Sequence, residues 1–281
     1  MGTFLTASVQ DLKRLLEMFP IVNLRQEWPD IKGTKEEICF GASETKDYDR
    51  IGKFVDEHFS CCKQHVYAFM MPPEAPALPA TLQDDPPTLA IEGVRSLFIL
   101  RVRYSVVLRG PLEETSIDFL WPIRLEITPD QVNAVLRFII LEKAVTQYFD
   151  RPCYVPDRSI EEKTVLKEIE PWAPDPADLH KGVKSLWEIG FMDSSSAKLK
   201  KALSMRAETM DEERGIREHN PDLYAEIQEN TLLTALFAIS DEKCGVSILS
   251  VQPSNGYIAF PRYSEKGGTD FVISEILGNN Q

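Results

Sequence analysis

The segment from Ser96 to Ile127 constrains the fold more than any other part of the sequence, because apolar and polar residues alternate along it. Side chains of a β-strand point alternately to opposite faces, so this period of two predicts two strands, each with one buried and one wet face. Gly110 and Pro111 supply turn residues between the two stretches. The sequence therefore predicts an antiparallel hairpin. Its apolar parity consists of Leu100, Val102, Tyr104, Val106 and Leu108, followed by Ile117, Phe119, Trp121, Ile123, Leu125 and Ile127.

The predicted wet face of this hairpin is basic, although the whole chain carries a formal net charge of −13. Guanidinium groups match carboxylates and phosphates in shape and charge, so this face predicts a surface for an anionic partner. The alternative is cross-strand pairing with Asp118 and Glu126, and the mixed charge that is common on surface strands favours that alternative. The arginines of the face are Arg95, Arg101, Arg103, Arg109 and Arg124.

A proline-rich segment divides the chain, since six of the sixteen residues from Pro72 to Pro87 are proline. Proline removes backbone donors and favours extended backbone, which predicts a spacer or a surface strap. A length of 281 residues also suits two domains better than one. We predict an α+β protein with a helical N-terminal module at 1–71, a proline-rich linker at 72–94, and a domain at 95–281 in which antiparallel β-hairpins pack on several helices.

Helical patterns fill the first 71 residues. Ser8 can cap one helix, and Thr34 with Glu37 has the spacing of a capping box that starts a second helix. Apolar residues at helical spacing predict one long helix from Tyr48 to Met70.

Behind the hairpin, the sequence predicts further helices before it returns to strands. Thr128-Pro129-Asp130-Gln131 combines residues that favour a helix start, and Asn255-Gly256 favours a tight hairpin turn. The predicted helices cover 129–149, 176–190, 196–213 and the segment from 221 through 239, and the predicted strands cover 244–251, 257–262 and 270–276.

Candidate catalytic and metal-binding groups are few. His58, Cys61, Cys62 and His65 are residue types that zinc favours, but one continuous helix cannot close a tetrahedron around a metal, so no metal site is predicted. The sequence contains no nucleophile elbow and no glycine-rich phosphate loop. We predict no catalytic residue and no cofactor. An enzymatic function is therefore not favoured, although a hydrolase or nuclease whose site is spread over separate strands stays open.

Charge and cysteine content indicate which partners and which cellular compartment to expect. Residues 1–71 hold 9 basic and 11 acidic residues, a net charge of −2, whereas 72–281 hold 22 and 33, a net charge of −11. Such acidity repels nucleic acid unless a local basic patch overrides it. Five cysteines at irregular spacing predict reduced thiols and a cytoplasmic location. We also predict neither a secretory signal in Met1–Gln10 nor a membrane-spanning helix.

Two short resemblances concern the N-terminal residues. The run Lys32-Gly33-Thr34-Lys35-Glu36-Glu37-Ile38 is similar to the start of the second helix in SAP-like modules, which implies DNA binding. Residues 8–71, with the long predicted helix Tyr48–Met70, resemble a small death-fold or pyrin-like domain, which implies assembly with other proteins.

The combined pattern predicts a non-enzymatic adaptor that recruits a protein partner through its helical N-terminal module. The alternative from another class is a nucleic-acid-binding regulator that uses the arginine face of the hairpin. The sequence does not decide whether a small-molecule ligand also binds.

Overall fold

The fold is α+β, as the sequence predicts, and its residues form two compact units. The first unit comprises Met1–Cys62 and Met71–Pro174, and the second comprises Lys63–Met70 and Asp175–Gln281. The predicted turn at Gly110 and Pro111 and most of the predicted proline linker lie outside the described residues. The computed structural model describes residues 3–71, 88–91, 95–108, 113–128, 130, 132–140, 144–148, 151–154, 160–169, 175–200, 205–208, 215–241 and 244–280.

The first unit begins with a group of helices, and two of them start at the predicted capping residues Ser8 and Thr34. Ser8 caps α1 through a reciprocal pair of hydrogen bonds with Asp11, and Thr34 caps α3 in the same way with Glu37. Each box satisfies backbone donors that a helix N-terminus otherwise leaves open. The helices are α1 (Val9–Leu16), α2 (Ile21–Glu27), α3 (Lys35–Glu44) and α4 (Tyr48–His58), with short 3₁₀ turns at Thr3–Thr6 and Phe59–Cys61.

The prediction of one long helix from Tyr48 to Met70 is wrong. The α4 helix ends at His58, Cys62 is extended, and β1 (Gln64–Met70) follows as a strand of the second unit. Buried Val66 and Ala68 alternate with half-buried neighbours, so the true period of this stretch is two. A short run of apolar residues satisfies both periods, and pairing with a distant strand decides between them.

The predicted hairpin is confirmed as the centre of the first unit. Strand β3 (Arg95–Leu108) pairs antiparallel with β4 (Glu113–Ile127) in an unbroken register from Arg95 opposite Glu126 to Leu108 opposite Glu113. The other elements of this unit are β2 (Leu89–Ile91) and β7 (Arg151–Tyr154), which pair with β3, β5 (Asn133–Ile139) on β4, β6 (Ala144–Tyr148) on β7, and the helix α5 (Ile160–Ile169).

The helix predicted over 129–149 is wrong, because β5 and β6 occupy most of its described residues. Asp130 accepts hydrogen bonds from Thr128 Oγ1 and from the Val132 amide, so the expected helix cap is a turn between two strands. The apolar run in β5 is buried on both faces, and such a run does not distinguish a buried helix from a buried strand.

The second unit combines an antiparallel sheet with helices. In the described residues its strands follow the order β1-β12-β11-β10-β8-β9. The hairpin predicted around Asn255-Gly256 is confirmed by the pairing of β11 with β12. The elements after β1 are α6 (His180–Glu188), β8 (Met192–Lys200), β9 (Met205–Glu208), α7 (Ile216–His219), α8 (Pro221–Glu229), β10 (Thr231–Ile239), β11 (Ile248–Gln252), β12 (Tyr257–Phe260) and α9 (Gly268–Gly278).

Three predictions in this unit are wrong. The segments 196–213 and 232–239 contain strands in place of the predicted helices, and 270–276 lies in a helix in place of the predicted strand. In α9, buried Val272, Ile273, Ile276 and Leu277 recur at helical spacing and face the core, while α9 packs against α6. Tertiary packing has overridden the strand preference of its β-branched residues.

The compact units place residues 1–62 with the hairpin. The division into an independent module at 1–71, a linker at 72–94 and a domain at 95–281 stays a prediction about separate folding. Within the described part of the chain, each helix is too short or too polar to cross a bilayer.

Candidate functional site

The face of the hairpin that was predicted to be wet is buried over about half of its length. Leu97, Ile99 and Leu120 belong to the parity of the arginines, and all three are buried. The 3₁₀ turn Thr3–Thr6 packs on β3 and α1 packs on β4. The expectation of one buried and one wet face is therefore wrong for this half, because helices of the same unit cover the second face.

Arg124 lies inside the first unit, with 1% of its side chain exposed. Its Nη2 is 3.0 Å from Asp56 Oδ1, and it also donates to the Asp56 carbonyl oxygen. The guanidinium carbon lies 4.3 Å from the centre of the Phe59 ring, a cation–π contact. The side chain therefore joins β4 to α4.

Asp56 and Glu126 are shared among three arginines. Arg95 Nη2 is 2.7 Å from Asp56 Oδ2, whereas Arg137 Nη1 is 3.1 Å from Glu126 Oε2. Arg124 also lies 3.5 Å from Glu126 Oε1, two residues further along the same strand. We call Asp56, Arg95, Arg124, Glu126 and Arg137 the buried ionic cluster.

Arg101 and Arg103 lie nearer the tip of the hairpin and have carboxylate partners too. Arg101 Nη1 is 3.1 Å from Asp11 Oδ2 on α1 and 3.9 Å from Asp118 Oδ2. Arg103 donates from Nε to Asp118 Oδ1 at 2.8 Å and from Nη2 to Asp118 Oδ2 at 3.3 Å. Hydrogen bonding from Arg103 lowers the pKa of the Asp118 carboxyl. With 73% of its side chain exposed, Arg103 is the arginine most open to solvent in this pairing network, and Arg109 lies outside the described residues. The binding of an anion by the five arginines stays a prediction. An anion would have to compete with the carboxylates that already pair with the described ones.

The segment 58–65, which contains the cysteines and histidines considered as zinc ligands, is divided between the two units. His58 is buried in the first unit, with its Nδ1 2.6 Å from Asn23 Nδ2, whereas His65 lies on β1 of the second. Burial raises the pKa of the Cys62 thiol and raises that of Cys39 to about 12. Among the described residues, no three acidic, cysteine or histidine side chains come together as a metal site would need.

A cleft of about 320 Å³ opens on the helical surface of the first unit, between α2, the loop after it and α3. Its size is at the lower end of the range of about 300–1,000 Å³ that is typical of ligand sites. We call it the α2–α3 cleft. Its lining consists of Arg25, Trp28, Pro29, Ile31, Lys32, Gly33 and Ile38.

Aromatic packing holds the apolar side of the α2–α3 cleft. Trp28 is buried, and its ring centre lies 4.8 Å from that of Phe54 on α4. The Arg50 guanidinium lies over the same indole ring at 5.4 Å and is held by Glu27 at 2.6 Å. The indole is therefore held in one position by its neighbours within the unit.

The loop that forms one wall of the cleft depends on Gly33 and on the capping box behind it. Gly33 has φ of +129°, and a Cβ at this position would lie 2.3 Å from Glu37 Oε2. That same oxygen accepts hydrogen bonds from the amide and the hydroxyl of Thr34, at 2.7 and 2.9 Å. Only glycine combines this backbone conformation with room for the carboxylate.

The hydrogen bonds from the backbone and side chain of Thr34 lower the pKa of Glu37. A carboxyl with a lowered pKa in the folded state stabilises that state at neutral pH, and the contribution is lost as the pH falls through the folded pKa. Glu37→Gln is therefore expected to lower the urea midpoint at about pH 7 and to show a smaller deficit at about pH 3. Glu44→Gln, an exposed position on the same helix, is the matched control. A Glu37→Gln deficit of equal size at both pH values would contradict the expectation.

Sequence reasoning singled out residues 32–38 for their resemblance but did not find the cleft. Two cations line it, Arg25 and Lys32, and Lys32 Nζ donates to the Pro29 carbonyl oxygen at 2.6 Å. The side chain of Arg25 makes no hydrogen bond or ion pair with any described residue. Val22, three residues earlier on the same side of α2, is 57% exposed. The site thus joins an apolar floor to an arginine without a carboxylate.

Comparison with protein families, curated proteins and solved structures gives no match for the chain. The SAP-like and death-fold-like resemblances stay predictions. The long helix on which the second resemblance drew is shorter than expected, because α4 ends at His58.

Proposed function

We propose that this protein is a non-enzymatic interaction protein that recruits a protein partner through its N-terminal helical region. The observation that carries the proposal is the α2–α3 cleft, which combines a concave apolar floor with an arginine that has no described partner. Tryptophan and arginine are enriched among the residues that contribute most to binding at protein interfaces.

The packing of the cleft also supports recruitment of a partner. The indole of Trp28 is held between Phe54 and Arg50, and Glu37 fixes the loop at Gly33. A surface that is already in its bound shape loses little side-chain entropy on association, so more of the contact energy is available for affinity.

We also propose a cytoplasmic location. Cys39, Cys61, Cys62 and Cys244 are buried thiols outside any disulfide, and two of them are adjacent in sequence. Thiols in this state are typical of a reducing compartment.

The test is affinity purification of the full chain from its native cell, with partner proteins quantified by mass spectrometry. We expect the double variant Val22→Asp/Arg25→Glu to reduce recovery of its main partner by about tenfold. Arg25 lines the cleft, Val22 is exposed three residues earlier on α2, and negative charge at these positions repels an acidic partner surface. Val22 and Arg25 are exposed, so the melting temperature should stay unchanged.

Two control variants place the same changes elsewhere. Lys53→Glu reverses an exposed charge on α4, and Ile189→Asp adds a charge at an exposed apolar position of the second unit. Both should recover the partner at the wild-type level. Equal recovery with the double variant and the wild type would overturn the proposal.

A further inference from the structure

We infer that the α2–α3 cleft binds an acidic peptide segment of the partner, with one large apolar side chain against Trp28 and flanking carboxylates on Arg25 and Lys32. This inference rests on the proposed function and adds the chemistry of the partner. Three observations support it. The floor of the cleft is apolar, its cations have donors that no described residue uses, and the nearby carboxylates are bound to other residues.

The floor selects an apolar anchor. Trp28 and Ile38 are buried beneath the opening, and half-buried Ile31 stands beside them. A volume of about 320 Å³ accepts one large side chain or a short segment. Removing one large apolar side chain from water against such a floor is a main source of affinity at a small interface.

Arg25 and Lys32, the cations at the cleft, have fewer hydrogen-bond and ion-pair partners than other arginines of the helical region. Arg14 donates to the Asp118 carbonyl oxygen and lies over the Phe119 ring, and Arg50 is paired with Glu27. Arg25 has no such partner among the described residues. Lys32 uses one donor on Pro29, and an ammonium group has three.

The carboxylates nearest the cleft are engaged in holding its structure. Glu27 binds Arg50, and Glu37 binds the amide and hydroxyl of Thr34. Asp30 is exposed in the loop and is not part of the lining. The positive charge of Arg25 therefore lies at the cleft without a counter-ion from the described part of the chain. A carboxylate is the group that complements it bidentately.

The acidity of the rest of the chain makes the positive charge at the cleft specific for an acidic segment. With a net charge of −13, most of the surface repels an acidic segment, so productive encounter is confined to a local basic site. A basic segment would instead be attracted to many places and would meet two cations at the cleft.

Phage display of random peptides of about twelve residues, selected on the immobilised full chain, tests the inference because extended segments of this length fill recognition grooves. The expected selected sequences share one Leu, Ile, Phe or Trp flanked by Asp and Glu. A representative peptide should bind the Arg25→Glu variant about tenfold more weakly, while Lys53→Glu should bind it as the wild type does. Selected peptides that are neutral or basic, peptides whose binding survives Arg25→Glu, or a selection that yields no binder would overturn the inference.

The two proposals fail in different ways. If the Val22→Asp/Arg25→Glu variant loses its cellular partner but the selected peptides are not acidic, the proposed function stands and the inference about chemistry falls. If recovery of the partner does not depend on the cleft at all, the proposed function falls whatever the peptides show.

Discussion

Asp56→Ala is expected to lower the free energy of unfolding by about 3–5 kcal/mol, the range seen when one partner of a buried ion pair is removed. Arg124 would stay inside the first unit and lose its carboxylate acceptor Asp56 Oδ1. It would keep the backbone carbonyl oxygen of residue 56 and Glu126, which it shares with Arg137. A buried guanidinium cannot release its proton to relieve this cost, because its pKa is too high. Urea denaturation followed by circular dichroism measures the change.

Asp118→Ala provides a matched control for Asp56→Ala. It removes a carboxylate from an arginine of the same hairpin, but Arg103 is open to water, so the change should cost about 0–1 kcal/mol. A second comparison is the double variant Asp56→Ala/Arg124→Met, which takes away both charges and should recover part of the loss. If Asp56→Ala and Asp118→Ala destabilise the protein equally, the buried ionic cluster does not stabilise the fold as we infer.

Trp187→Ala is expected to destabilise the second unit by about 3–5 kcal/mol, as large-to-small changes of buried aromatic residues do. Trp187 is fully buried, and its ring centre lies 5.0 Å from that of Phe237 and 5.3 Å from that of Tyr224. Its Nε1 donates to Asp193 Oδ1 at 2.7 Å, so the alanine variant combines a cavity with the loss of a hydrogen bond to a carboxylate.

Trp187→Phe separates the two contributions, because phenylalanine keeps much of the ring packing and lacks the indole donor. It should destabilise the unit by about 1.5–3 kcal/mol, the usual value for one hydrogen bond to a charged group. Denaturation monitored by amide hydrogen exchange reads the second unit by itself. An alanine variant that is no less stable than the phenylalanine variant would contradict this account of the core.

The parts of the fold that the sequence predicts well are those with local causes. The hairpin around Ser96–Ile127 follows from alternation, the start of α1 from the capping residue Ser8, and the start of α3 from a capping box that spans three residues. The Asn255-Gly256 turn likewise needs no distant partner, since Gly256 has φ of +60° there.

The errors occur where distant residues decide the structure. The stretch after His58 and the run in β5 carry apolar patterns that suit either helix or strand, and β5 is settled by its pairing with β4. The β-branched residues of α9 favour a strand locally, yet contact with α6 keeps them helical.

The difference between local and distant causes also explains which features of the candidate sites the sequence predicts. Parity in β3 and β4 placed on one face those predicted arginines that the structure describes, but their partners Asp11 and Asp56 come from helices much earlier in the chain. No local pattern links those carboxylates to the hairpin. The α2–α3 cleft likewise exists only after two helices pack, so Trp28 and Arg25 carry no signal of it in the sequence.

The position of β1 in the chain has a consequence for biosynthesis. Val66 pairs with Ile258, so the ribosome must add every residue between these two positions before β1 has its partner strand. During that interval its backbone donors and acceptors are exposed to other nascent chains, and pairing at such sequence separation is slow. Chaperone occupancy on ribosome-bound chains should therefore persist until β12 has left the exit tunnel.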